Sequence, residues 1–121
     1  MPRDPNKLDV YRLAYDLALA VYEATDALPR SEVFGLKPQM RRSAVSIVAN
    51  IAEGAARPSA LEFARFLGIA LGSAVELRCL IDLTSDMKMM PRDRLQSCRD
   101  CSDRVVRTLL KLQQTVRSFD S

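Results

Sequence analysis

Residues 34–66, FGLKPQMRRSAVSIVANIAEGAARPSALEFARF, decide the fold. Met40, Ala44, Ile47 and Ile51 recur at three- and four-residue steps, the spacing of one helix face. Val45, Val48 and Ala52 lie beside that stripe, while Gln39, Arg42, Ser43, Ser46, Asn50 and Glu53 share the opposite side. Pro38 suits the first turn, where its missing N–H costs nothing, and Gly54 suits the end. Ser59-Ala60-Leu61-Glu62 then has capping-box spacing. The serine oxygen takes one free N–H of a new helix, and the glutamate reaches back to another. The polar stripe offers alternating donors and acceptors, which predicts a structural or interfacial role more than a catalytic one. Arg41 falls among Val45, Val48 and Ala52, which predicts a buried or interfacial guanidinium with a carboxylate partner.

Outward from this core, Val10, Leu13, Ala14, Leu17, Val21, Ala24 and Leu28 predict a first helix from about Asp9 to Leu28, stopped by Pro29. Tyr11, Tyr15, Ala18 and Tyr22 form an adjacent stripe, so the apolar arc is wider than one bundle core covers. A tyrosine stripe of this kind suits a subunit interface, because the ring buries area while the hydroxyl tolerates a wet rim. Partly buried tyrosines on a monomer are the plainer alternative. A loop of roughly ten residues follows, an ordinary length for a helix connection or slightly above it. The third helix should run from Ser59 to about Met89, with Phe63, Phe66, Ala70, Ala74, Leu77 and Ile81 as its main face. Ala64, Gly68 and Gly72 make a small-residue strip that admits another helix, either within the bundle or from another subunit. Pro91 opens the last helix, whose stripe is Leu95, Cys98, Ser102, Val105, Leu109, Leu112, Val116 and Phe119. Four long helices with short connections predict an all-α, up-down-up-down antiparallel four-helix bundle, with residues 1–121 as one domain.

The net charge of +3 is unevenly spread. Residues 36–66 carry 5 basic and 2 acidic groups, and residues 91–121 carry 7 and 4, so the excess sits in the second and last helices. The N-terminus lacks a signal-type apolar core, and uncharged runs such as Phe66–Val75 reach only half a membrane span. A cytoplasmic protein without membrane contact is the expectation. Three cysteines, an odd number, fit reduced thiols better than a disulfide framework.

Cys98-Arg-Asp-Cys101 has the spacing of half a zinc site, yet the chain has no histidine and only one further cysteine. Packing thiols, no metal and no cofactor are expected. Without histidine, Ser-His-Asp and Cys-His arrangements are excluded. Glu53, Glu62 and Glu76 lack the Glu-x-x-His spacing of di-iron bundles, so no enzymatic activity is expected. Arg57, Arg104, Arg107 and Lys111 could follow a phosphate backbone of RNA or DNA, with Arg42 and Arg65 in the same inventory. The competing reading is a solvated surface helped by local pairs such as Asp100 with Arg104. Aromatic residues that could stack on bases are not interleaved with these arginines.

The phrases LDVYRLAYDLALAVYEATDALP, FGLKPQMRRSAVSIVANIAEGAAR and SALEFARFLGIALGSAVELRCLIDL, in that order over residues 8–90, resemble the bacterial proteins encoded by intervening sequences of 23S ribosomal RNA genes. Phe34-Gly35-Leu36, Gln39, Arg41-Arg42, Ser46, Asn50-Ile51-Ala52-Glu53-Gly54, Ser59, Glu62-Phe63 and Gly72-Ser73 match the family pattern. Val48 departs from it, since the family commonly places a proline there. The resemblance implies a homopentamer of four-helix bundles without established enzymatic activity and with a suspected nucleic-acid role. The similar accessory variability proteins of diversity-generating retroelements form five-fold barrels and bind a reverse transcriptase and nucleic acid. The expected interface residues are Tyr11, Tyr15, Tyr22, Arg41, Val45, Val48, Gly68 and Gly72. Two functions follow: a homo-oligomer that binds RNA or DNA weakly and without sequence preference, or a scaffold that holds a partner protein.

Overall fold

The computed structural model describes residues 3–119, so residues 1, 2, 120 and 121 of the expected domain lie outside it. Four α-helices follow one another: α1 Asp9–Thr25, α2 Leu36–Ala55, α3 Ala60–Asp86 and α4 Arg92–Ser118. Each packs on its sequence neighbours, and α1 closes the square against α4. The direction is written in the partners. Along α2 and α3, Met40 meets Thr84, Ser43 meets Glu76, Ser46 meets Ser73 and Gly54 meets Phe66, so one helix rises as the other falls. Gln113 meets Ala64 and Asp103 meets Arg78 in the same opposed sense between α3 and α4. The fold is therefore the antiparallel four-helix bundle expected. No helix among the described residues is long and apolar enough to cross a membrane.

The core takes the predicted stripes: Leu17, Ala44, Ile47, Ile51, Ala70, Ala74, Leu77, Ile81, Val105 and Leu109 are fully buried. Burying a Leu, Ile or Phe side chain contributes about 1.5–3 kcal/mol, which makes this stripe the main source of stability. Two stripe members fall elsewhere. Phe66 is half-buried, with Leu67 taking the inward position, and Phe119 is exposed because it lies one residue past the end of α4.

Helix ends depart from the expected boundaries. α1 stops at Thr25, not Leu28, and Arg41 of α2 reaches its C-terminus. The guanidinium donates to the Tyr22 carbonyl at 3.0 Å, to Thr25 Oγ1 at 2.9 Å and to Asp26 Oδ1 at 2.9 Å, and it covers the Tyr22 ring at 4.5 Å. A cation at a helix C-terminus also meets the negative end of the macrodipole. The carboxylate partner expected for Arg41 is thus Asp26, which Lys37 Nζ also approaches at 3.5 Å. α3 stops at Asp86, not Met89, in a Schellman turn: Lys88 sits at φ 56°, the Met89 N–H donates to the Thr84 carbonyl and the Lys88 N–H to that of Ser85. At the start of α3 the Glu62 N–H donates to Ser59 Oγ as expected. The Glu62 carboxylate, however, accepts the Ser59 hydroxyl and not its backbone N–H. α2 runs without interruption through Val48.

Gly54 does not terminate α2 as a left-handed cap; it is the penultimate helical residue and its φ is not positive. Its role is proximity. A Cβ there would lie 2.6 Å from Phe66 Cβ and 3.1 Å from Phe63 Cδ1. Helix propensity favours alanine over glycine by about 1 kcal/mol. Gly54→Ala should nonetheless destabilise by roughly 1–3 kcal/mol, since overpacking outweighs propensity. Chemical denaturation decides the sign.

The Arg41 guanidinium holds the Asp26 carboxyl below its ordinary value, aided by Lys37. A depressed folded-state pKa stabilises above the unfolded value and loses that contribution as pH falls through the folded one. Stability should therefore decline as pH drops below about 4, the ordinary carboxylate value. Asp26→Asn should remove that part of the acid dependence while lowering stability at neutral pH. An acid limb of the melting-temperature profile unchanged in Asp26→Asn contradicts the assignment.

Candidate functional site

Because the seam of α4 points inward, the residues half a turn away point to solvent. Arg104, Arg107 and Lys111 are spaced by three and four along that outer line, and all are exposed. None forms an ion pair with a described residue. The anticipated Asp100–Arg104 pair is not made; Asp100 accepts from Gln96 Nε2 at 2.8 Å instead. Arg104 and Thr108 border a shallow depression with Asp9, Arg12 and Leu13 of α1, which adds Arg12 to the basic surface.

Arg57 stands apart from this line. It follows α2 at the end of the bundle, pairs with Glu53 at 3.0 Å and lies over the Phe66 ring at 4.8 Å. Arg65 approaches the same ring at 5.9 Å, and Arg3 covers Phe63 at 4.5 Å while donating to the Arg57 carbonyl. The four basic residues expected to act together are therefore divided between the α4 line and this arginine-rich end. The contribution of Arg3 was not legible, because its neighbours Ala55, Arg57 and Phe63 lie more than fifty residues away along the chain.

Six of the expected interface residues share the α1/α2 side. Arg41 reaches Tyr22, and Val45 and Val48 follow Arg41 on the same flank of α2 by one and two turns. Tyr11 and Tyr15 pair with ring centroids 6.0 Å apart. Tyr15 is 43% exposed and Leu19, which sequence reading omitted, is 58% exposed. Gly68 and Gly72 lie elsewhere. A Cβ at Gly68 would sit 2.9 Å from Gln113 Nε2 of α4, so this glycine already serves a contact within the chain, whereas nothing approaches Gly72 within 4 Å.

The polar stripe of α2 meets polar residues of α3 and forms an open groove of about 450 Å³. Ser43 Oγ donates to Glu76 Oε2 at 2.7 Å, Ser46 Oγ and Ser73 Oγ lie 2.7 Å apart, and Asn50 Nδ2 donates to Ser46 Oγ at 3.1 Å. Gln39 and Arg42 line one side, and Phe34, 96% exposed, stands at the rim. The α2 half of this groove was visible in the sequence; Ser73, Glu76 and Phe34 join it only through folding.

No group of three or more His, Cys, Asp or Glu among the described residues could hold a metal ion. Cys98 is buried, and burial, with lesser contributions from Cys101 and Glu23, pushes its thiol pKa up to about 11. Cys101 points its thiol toward the Leu13 carbonyl at 3.8 Å, and Cys79 is exposed. Thiolate is the reactive form. At neutral pH a disulfide reagent should therefore modify Cys79 first and reach Cys98 only after denaturant is added. Immediate titration of all three thiols in the folded protein contradicts this ordering.

Comparison with known proteins supplies the family. The model of the 23S rRNA-intervening sequence protein family matches residues 6–111. A crystal structure of a protein of unknown function from the S23 ribosomal protein family of Bacteroides thetaiotaomicron VPI-5482 is similar, with a TM-score of 0.80 and 25% identity. The match covers 86% of this chain and 97% of that one. Among curated proteins none matches. With its three sequence blocks, its four antiparallel helices and a family match over nearly its whole length, the chain belongs to the 23S rRNA-intervening sequence protein family.

Proposed function

We propose that this protein is a non-enzymatic homo-oligomer that binds RNA or DNA weakly through the outer basic line of α4. The observation that carries the reading is that Arg104, Arg107 and Lys111 are exposed, aligned and without ion pairs among the described residues. Cations of this kind contact phosphates and release counterions, which supplies affinity without reading bases. A single line is short. Repetition of the line around a ring raises avidity through effective concentration, and the family resemblance favours five copies. The α1/α2 side is the proposed subunit contact, with Tyr15, Tyr22, Val45 and Leu19 as exposed apolar groups beside the Arg41 clamp. The same exposed apolar groups support a second reading, a scaffold that holds a partner protein there and needs no nucleic acid.

Tyr15→Asp should break assembly, because it would bury an unpaired carboxylate in the contact. Light scattering should then report a lower mass; an unchanged mass means the contact lies elsewhere. Joint replacement of Arg104, Arg107 and Lys111 by Glu should weaken binding to single-stranded RNA and reduce the slope of log affinity against log salt by about 2. Full affinity with an unchanged slope leaves the α4 line as a solvated surface. A stoichiometric protein partner that survives nuclease treatment would favour the scaffold.

A further inference from the structure

We infer that the α2/α3 groove is a binding site for one unpaired guanine nucleotide, with Glu76 reading the base, Phe34 stacking on it and Arg42 holding its phosphate. The inference deepens the nucleic-acid reading and rests on it where the guanine belongs to a strand. The groove, at about 450 Å³, falls within the roughly 300–1,000 Å³ of small-ligand sites. Its floor is already satisfied: the Ser46 and Ser73 hydroxyls pair with each other, and Asn50 donates to Ser46. That leaves the charged and aromatic groups on the walls for a guest.

Arg42 and Glu76 share the groove without pairing, and the Arg42 side chain has no hydrogen bond or ion pair among the described residues. The guest must therefore present donors to one side and negative charge to the other. The Ser43 hydroxyl orients the Glu76 carboxylate through one oxygen at 2.7 Å, and a carboxylate has further lone pairs to offer. Two adjacent N–H donors satisfy it best. Among the common bases only guanine has them, N1–H beside the N2 amino group. Adenine and cytosine set an acceptor nitrogen next to their amino group, and uracil flanks its single N–H with two carbonyls, so a carboxylate is repelled in each case. Phe34, 96% exposed, offers an unpartnered face to a base that has left its stack. Arg42 supplies the fork that matches phosphate oxygens.

The test has two arms. In the first, guanosine, inosine and uridine monophosphates are titrated into isotope-labelled protein and followed by NMR. Guanosine monophosphate should shift the Ser43, Ser73 and Glu76 amides more strongly than inosine monophosphate, which lacks the N2 donors, and uridine monophosphate least. In the second, a fluorescent oligouridylate carrying one central guanosine is compared with the all-uridine strand. The guanosine should strengthen binding roughly tenfold, the scale of a good bidentate base contact. Glu76→Gln should abolish that preference while leaving affinity for the all-uridine strand, and Phe34→Ala should weaken both guanine probes. Equal response to all three nucleotides, or a guanine preference that survives Glu76→Gln, overturns the site. Strand binding without guanine preference removes the groove alone. Guanosine monophosphate binding without strand binding removes the α4 reading alone and identifies the guest as a free nucleotide.

Discussion

The close crossing of α2 and α3 at Gly54 sets the rest of the molecule. With hydrogen in place of a side chain, the backbone of α2 approaches Phe63 and Phe66 to distances that a methyl group would not fit. Two straight rods fixed at one point and packed along a shared apolar stripe have little freedom left. Ser46 is then brought opposite Ser73, Ser43 opposite Glu76, and Met40 opposite Thr84. Packing against a neighbour thus outweighs the roughly 1 kcal/mol that glycine costs inside a helix. The same crossing presents the rings of Phe63 and Phe66 to Arg3, Arg57 and Arg65, so the arginine-rich end of the bundle is a consequence of it.

At the opposite end, charge takes over the role of close packing. The Arg41 side chain satisfies carbonyl, hydroxyl and carboxylate acceptors at the end of α1, and the ten residues that follow α1 need no regular structure beyond a short 3₁₀ turn. Between α3 and α4 a further set of charges, Arg78 with Asp82 and Asp103 and Arg99 with Asp82, spans the helices where their sides are half-exposed. Such pairs contribute little individually at a wet surface. Their value is in register, because Arg78 with Asp103 and Arg99 with Asp82 each tie a particular turn of α3 to a particular turn of α4, while Arg78 with Asp82 braces α3 itself.

Basic residues of this chain thus divide by what they meet. Arg41, Arg57, Arg78 and Arg99 are engaged with carboxylates of the chain itself, and Arg3 and Arg65 lie over aromatic rings. Arg104, Arg107 and Lys111 form no ion pair among the described residues. The distinction matters because an arginine already paired offers a phosphate only what remains after that pair is weakened. Net charge and segment counts treat all of these residues alike.

The sequence by itself determined the helices and their inward faces, because a period of three and four residues is a local property and burial follows it. Proline, the Ser59 cap and the absence of histidine are equally local, and they bounded the elements and the chemistry. Tertiary structure alone decided which side chains from different helices meet. Asp26 as the partner of Arg41, Gln113 beside Gly68, Phe66 beneath Arg57, and Phe34 and Glu76 beside Arg42 all depend on the rotation and offset of one helix against another. Those two quantities are set by the shapes of many side chains packing at once, and no window along a single helix contains them.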